Sequence, residues 1–198
     1  MNRISYEDSF MDATMFAQLK KEVRESDFMS YTAGAKLFNA MPIPAYLLDH
    51  IYKKIESRGV KCMNMLSFIR SDHRETGKEW NIHADTHVLG QKPSHAGVLY
   101  ISEPNESLDL TGTSFWEHHL YGASLPAHIS DKKYNEMVEV DANIQSNWEL
   151  KSIVGHKSNR LVLYPANAFH SKYPNKGWGE TFHEGRIVLV MFFNMMKL

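Results

Sequence analysis

Apolar residues recur along this chain in two rhythms. Through the first sixty residues the rhythm is helical. Between Asp8 and Arg24, Phe10, Met11, Met15 and Leu19 fall on one face, and the remaining positions are rich in Asp, Glu, Lys and Arg. A second helix is predicted from near Pro44, with Leu47, Leu48, Ile51, Tyr52 and Ile55 as its apolar stripe and Gly59 where a C-terminal cap belongs. Pro42 and Pro44 suit the entry to that helix and would not suit its interior.

After Gly59 the rhythm shortens. Strands are predicted over Lys61–Arg70, Glu79–Val88, His95–Ser102, Thr113–His119, Asn159–Tyr164 and Arg186–Asn194. Short strands separated by turn residues point to an antiparallel sandwich or barrel with helices packed outside. The segment from Leu120 to Ser146 breaks the strand rhythm. It reads as a long excursion with a short helix around Lys132–Val140, a kind of segment that often serves as a lid. No repeat and no Pro/Gly/Ser linker divides the chain. The expectation is therefore one domain over residues 1–198, with 1–60 a helical support and 61–198 the β core.

Composition narrows the picture. With 198 residues, 43% hydrophobic and 23% charged, the chain can bury a sizeable core and does not read as disordered. A net charge of -1 offers no footprint for a polyanion, so neither a nucleic-acid partner nor an anionic membrane surface is expected. The longest apolar stretch, Ile187–Phe193, is too short to span a bilayer, and Met1–Phe10 does not read as a signal peptide. The single cysteine, Cys62, excludes an intrachain disulfide and fits a reducing compartment, so a cytoplasmic location is expected. Eleven histidines are many for this length and raise a metal hypothesis.

His83 and Asp85 are the first candidates. Residues two apart on a strand point the same way, about 7 Å apart, and their side chains can converge on one ion. The pattern is weak alone, since this composition produces a His-x-Asp by chance about half the time. His87 extends it to His-x-Asp-x-His, but four residues of strand span about 13 Å, too far for both imidazoles to reach one ion. A third ligand must then come from elsewhere, and His87 reads as an outer or solvent-facing residue. His170 follows the predicted strand Asn159–Tyr164. Arg186 opens a run in which Val188, Val190 and Phe192 share its face. An Arg there either sits at a solvated strand end or meets an anion, and its planar fork matches a carboxylate.

His83-x-Asp85, His170 and Arg186, in that order in a β-rich region, resemble the iron(II)- and 2-oxoglutarate-dependent oxygenases. Flanking segments are similar to their prolyl-hydroxylase-like members. Thr111-Gly112-Thr113-Ser114-Phe115 resembles a Gly-Gly-Thr-x-Phe segment, Val98-Leu99-Tyr100-Ile101 a Leu-Tyr-Leu strand, and Arg160–Pro165 with Phe169-His170-Ser171 the strand and turn that deliver the distal histidine. The likeness spans residues 61–198, and helices like those predicted before them recur in the family as a support for the sheet. Arg186 lies further from His170 than the family's basic residue usually does. The excess reads as a longer hairpin, because Pro174, Gly177, Gly179 and Gly185 form turns. Lys172 and Lys176 fall within it and could in principle take the role of Arg186, but they read as solvated loop charges.

The resemblance implies a double-stranded β-helix, a cupin-like jelly roll within a mainly β chain with flanking helices (α+β). It implies that His83, Asp85 and His170 hold Fe(II), and that Arg186 pairs with the far carboxylate of the cosubstrate 2-oxoglutarate. Tyr100 is a candidate for an added hydrogen bond to that carboxylate, or else a core tyrosine. The implied reaction hydroxylates a small molecule or an amino-acid side chain and releases succinate and CO2. Two other readings stay open: a metal-dependent hydrolase or isomerase on a similar jelly roll, and a non-catalytic jelly-roll binding module. Oligomeric state is open too, a homodimer being common for folds of this size.

Overall fold

The computed structural model describes residues 3–33, 36–75, 79–88 and 90–197. In chain order the elements are β1 (Ser5–Glu7), α1 (Ala13–Glu25), β2 (Met29–Ala33), β3 (Lys36–Met41), α2 (Ala45–Glu56), β4 (Val60–Asp72), β5 (His95–Tyr100), β6 (Gly112–His118), α3 (Asp131–Glu139), β7 (Trp148–Gly155), β8 (Leu161–Pro165), β9 (His170–Tyr173) and β10 (Arg186–Lys197). Two short 3-10 turns link α3 to β7. No helix among the described residues is long and apolar enough to cross a membrane.

Seven strands form one antiparallel sheet in the order β1-β8-β5-β10-β4-β3-β2, and three form a second in the order β7-β6-β9. Alternation along β10 explains how the layers stack. Ile187, Leu189, Met191 and Phe193 face outward and join Leu19 and Val23 of α1 and Leu47, Ile51 and Ile55 of α2 in one core. Val188 and Phe192 face inward and meet Val98, Val162 and Phe115 in a second core between the sheets. The long sheet is thus apolar on both faces, one for the helices and one for the cup. Asp12 caps α1 by accepting a hydrogen bond from the Met15 amide at 2.9 Å.

Three features differ from the sequence expectation. The first sixty residues carry strands as well as helices: β1 lengthens the large sheet beside β8, and β2 and β3 lengthen it beyond β4. These strands have three to six residues, too few for a period of two to stand out. Met1, Asn2, Gly34 and Ala35 of that segment lie outside the described residues. Glu79–Val88 forms no regular strand and makes only isolated bridges, His83 with His170 and Val88 with Gln91. The segment after Tyr173 is no hairpin. β9 pairs with β6 and β10 with β4, so residues 174–185 cross from one sheet to the other. Gly177 is needed in that crossing, because a Cβ there would stand 2.2 Å from the His73 carbonyl oxygen.

Candidate functional site

The segment around His83 keeps strand alternation without a continuous ladder. Ile82 and Ala84 point away from the cup into a third apolar cluster with Trp116, Phe169, Leu125 and Met137. His83 and Asp85 therefore point the other way, to a common site with His170. The backbone amides are satisfied locally: Ile82 donates to Ala142 O at 3.0 Å and Asp85 to Ala166 O at 2.7 Å. The Leu120–Ser146 excursion supplies much of this support. Met137 of α3 packs in the third cluster, and the Tyr134 hydroxyl donates to Ala84 O at 2.6 Å. In this structure the excursion braces the His83–Asp85 segment from behind.

His83, Asp85 and His170 bring one donor atom each within 4.8 Å of one another. His83 Nε2 lies 3.3 Å from Asp85 Oδ1, and His170 Nε2 lies 3.2 Å from Asp85 Oδ2. Two donors bound at right angles, each about 2.1 Å from an ion, would stand about 3 Å apart, so this spacing suits a shared cation. The other ring nitrogens face carbonyls, His83 Nδ1 at 2.6 Å from Asn81 O and His170 Nδ1 at 3.0 Å from Ala168 O. Each Nδ1 must then carry its proton, which leaves both Nε2 lone pairs directed at the site. The donor set, two imidazoles and one carboxylate with no thiolate, fits a non-haem iron(II) ion with open positions.

The Tyr164 hydroxyl joins this group, 3.3 Å from Asp85 Oδ2 and 3.1 Å from His170 Nε2. Burial opposes the charge on Asp85, yet His170 and His83 outweigh it and hold the carboxyl well below its usual range. Burial likewise lowers the proton affinity of His170, and the Asp85 charge reverses this and raises it. Burial and the same charge push the Tyr164 hydroxyl well above its ordinary value, so it stays a neutral donor.

Arg186 sits at the far end of the same cup, 5% exposed. Its guanidinium lies 5.4 Å from the Tyr100 ring centroid, Nη2 is 3.5 Å from Gly112 O and Nη1 is 3.8 Å from Asp72 Oδ2. Its Nε is buried without a hydrogen-bond partner. Along β6, Gly112 is three residues from Phe115, which pairs with His170, a separation of about 10 Å. The Tyr100 hydroxyl shares a hydrogen bond of 2.6 Å with Thr113 Oγ1, and burial pushes its pKa up. Tyr100 thus lies beside Arg186, with its hydroxyl already engaged.

Asp72 and Arg70, which sequence reasoning did not assign, and Lys172, which it read as a loop charge, lie toward this end of the cup. Arg70 Nη2 is 2.8 Å from Asp72 Oδ1. Burial works against the Asp72 charge, but Arg70, Lys172 and Arg186 overcome it and keep its pKa low. Lys172 is no loop charge. It lies on β9, half-buried, and burial lowers its pKa to about 8, with Asp72 opposing and Arg70 and Arg186 assisting. The available signals were its place two residues after His170 and that of Asp72 two after Arg70, both on inward phases of strands. Lys176 is exposed. His87 is exposed too, its ring 5.4 Å from that of Tyr134. His118 is buried against Trp148 and Phe169 outside the cup.

No protein-family model matches the sequence, and comparison with curated proteins gave no match. Solved structures do match. The 2-oxoglutarate-dependent carbocyclase SnoK from nogalamycin biosynthesis aligns with a TM-score of 0.63 at 10% identity, over 96% of this chain and 78% of that one. HygX from Streptomyces hygroscopicus, solved with nickel and 2-oxoglutarate, aligns with a TM-score of 0.59 at 11% identity, over 96% and 82%. A Pseudomonas putida prolyl-4-hydroxylase aligns with a TM-score of 0.52 at 12% identity, over 98% and 93%. This chain has the double-stranded β-helix fold of the 2-oxoglutarate-dependent oxygenases. The fold expected from the sequence, prolyl-hydroxylase-like members included, is the fold observed.

Proposed function

We propose that this protein is an iron(II)- and 2-oxoglutarate-dependent dioxygenase that hydroxylates a small molecule or an amino-acid side chain. One observation carries the reading: three metal-donor side chains converge at one place in the cup, and a buried guanidinium with an unpartnered Nε stands beside Gly112, three residues along β6 from the partner of His170. His83, Asp85 and His170 would hold the ion through Nε2, a carboxylate oxygen and Nε2. Arg186 would orient the far carboxylate of the cosubstrate, with Tyr100 and Thr113 fixing the floor beside it. Val98, Val162, Val188 and Phe115 wall the space in apolar surface and keep water from it. Iron with 2-oxoglutarate would supply the oxidising power for C–H hydroxylation, releasing succinate and CO2.

SnoK is a carbocyclase, and another structural neighbour, SnoN, is an epimerase, so reaction type is part of the proposal. A reducing cytoplasm suits a protein with one cysteine, and a homodimer is the assembly we propose. Anaerobic addition of Fe(II) and 2-oxoglutarate should produce a weak visible charge-transfer band. Succinate release from labelled 2-oxoglutarate across a metabolite panel should follow in air and fall sharply in Arg186→Ala. A zinc- or manganese-dependent hydrolase would give neither signal. A binding module would keep its ligand in His83→Ala.

A further inference from the structure

We propose that Asn143 is a positioning residue for the metal ligand His83, acting through the main chain of Asn81. The inference rests on the proposed metal centre of His83, Asp85 and His170 and deepens it. It names what aims the most exposed of the three donors.

The need comes first. The main-chain bridge with His170 fixes the His83 backbone but leaves the imidazole free to turn about its side-chain bonds. The His83 side chain is 32% exposed, against 7% for Asp85 and 7% for His170, so packing restrains it least. Its Nδ1 lies 2.6 Å from Asn81 O. That contact sets both the orientation of the ring and the tautomer that leaves Nε2 as a donor to an ion. The aim of His83 therefore depends on the Asn81 carbonyl staying in place.

What holds Asn81 comes second. Its backbone is left-handed, φ 49°, a conformation that persists in a non-glycine residue where its surroundings fix it. Among the described residues its own side-chain oxygen is buried without a hydrogen-bond partner, so that atom anchors nothing. The anchor is the 3-10 turn Asp141–Asn143. Asn143 Oδ1 accepts from the Asn81 amide at 2.9 Å, and Ala142 O accepts from the Ile82 amide at 3.0 Å. The turn is itself fastened to the small sheet. Asp141 O accepts from Trp148 Nε1 at 2.8 Å, and Asp141 Oδ2 lies 3.4 Å from His118 Nε2. His118 Nδ1 accepts from the Leu120 amide at 3.1 Å, so Nε2 carries the proton and faces the Asp141 carboxylate. A continuous chain of contacts runs from β6 and β7 through Asn143 and Asn81 to the imidazole of His83. Asn143 is exposed, so its side chain can be changed at little cost to the core.

Co(II)-loaded protein gives the test. Co(II) shifts the Nδ1 proton resonances of its imidazole ligands far downfield, and those protons exchange with water at rates set by their acceptors. Two such signals are expected in the wild type. One is from His83, and the other is from His170, whose Nδ1 faces Ala168 O at 3.0 Å and serves as internal reference. Asn143→Ala should broaden one signal through faster exchange, leave the other sharp, and weaken Co(II) binding about five-fold, the worth of one hydrogen bond. Asn143→Asp, which keeps an oxygen acceptor for the Asn81 amide, should restore both properties. An unchanged pair of signals in Asn143→Ala would overturn the proposal. Equal broadening of both signals would also overturn it, as a general loosening of the site, and so would a loss that Asn143→Asp does not restore. If wild-type protein binds no Co(II) or shows neither signal, the metal-centre reading fails first and the role of Asn143 falls with it.

Discussion

His83 and His170, far apart in the sequence, exchange both backbone hydrogen bonds: His83 N donates to His170 O at 3.1 Å and His170 N donates to His83 O at 2.9 Å. This antiparallel bridge sets their imidazoles side by side, ring centroids 4.6 Å apart. Main-chain pairing, independent of any ion, therefore pre-organises two of the three donors, and the Asp85 amide bond to Ala166 O places the third.

Removing a donor should abolish tight metal binding while sparing the fold. His83→Ala and His170→Ala are expected to lose more than about 100-fold in Ni(II) or Co(II) affinity, beyond what loss of a ligand's hydrogen-bond partner costs. Calorimetric titration measures the loss, and circular dichroism should stay that of wild type. Retained affinity in both variants would place the ion elsewhere.

Tyr164 touches two of the donors without being one of them. Tyr164→Phe removes a hydroxyl 3.1 Å from His170 Nε2 and 3.3 Å from Asp85 Oδ2. Metal affinity should fall by about 10-fold, as for an outer hydrogen-bond partner, with a stability change near 1 kcal/mol. Metal titration and urea unfolding of the same variant separate the two effects.

His156 should make folding stability depend on pH. Its ring stacks on Tyr100 at 4.4 Å, and its Nδ1 is buried without a partner. Burial first, and then the Arg186 charge, lowers its pKa from 6.5 to about 4. Between these values the unfolded chain binds the proton and the folded chain does not, so stability rises with pH across that window and is lost as pH falls. The contribution is at most about 3 kcal/mol. Urea midpoints from pH 4 to 7 should show this slope, and His156→Gln should flatten it.

Gly112 is a packing necessity. A Cβ there would stand 2.2 Å from Val154 O across the β6–β7 pair. Gly112→Ala should destabilise the protein by about 3 kcal/mol or more, since strand backbone cannot yield as a side chain can. Thermal unfolding reads the loss. Gly59→Ala is the contrast: its Cβ would meet nothing within 4 Å, and only its positive φ of 80° opposes the change.

The amino-acid sequence by itself determined a β-rich single chain with two amphipathic helices, because α1, α2 and the long strand β10 bury regular apolar phases. It also singled out His83, Asp85, His170 and Arg186, through residue types and an order like that of a known family. Only the tertiary structure decided the rest. The short strands β1, β2 and β3 take their places by joining existing sheet edges, and a three-residue strand carries no period of its own. The segment around His83 keeps its alternation through bridges to β9, a pairing no local pattern encodes. Lys172 changed from a solvated loop charge to a half-buried residue of β9 because residues 174–185 cross between sheets. Long-range strand pairing sets which charges share a cavity, and that information lies in contacts between residues distant along the chain.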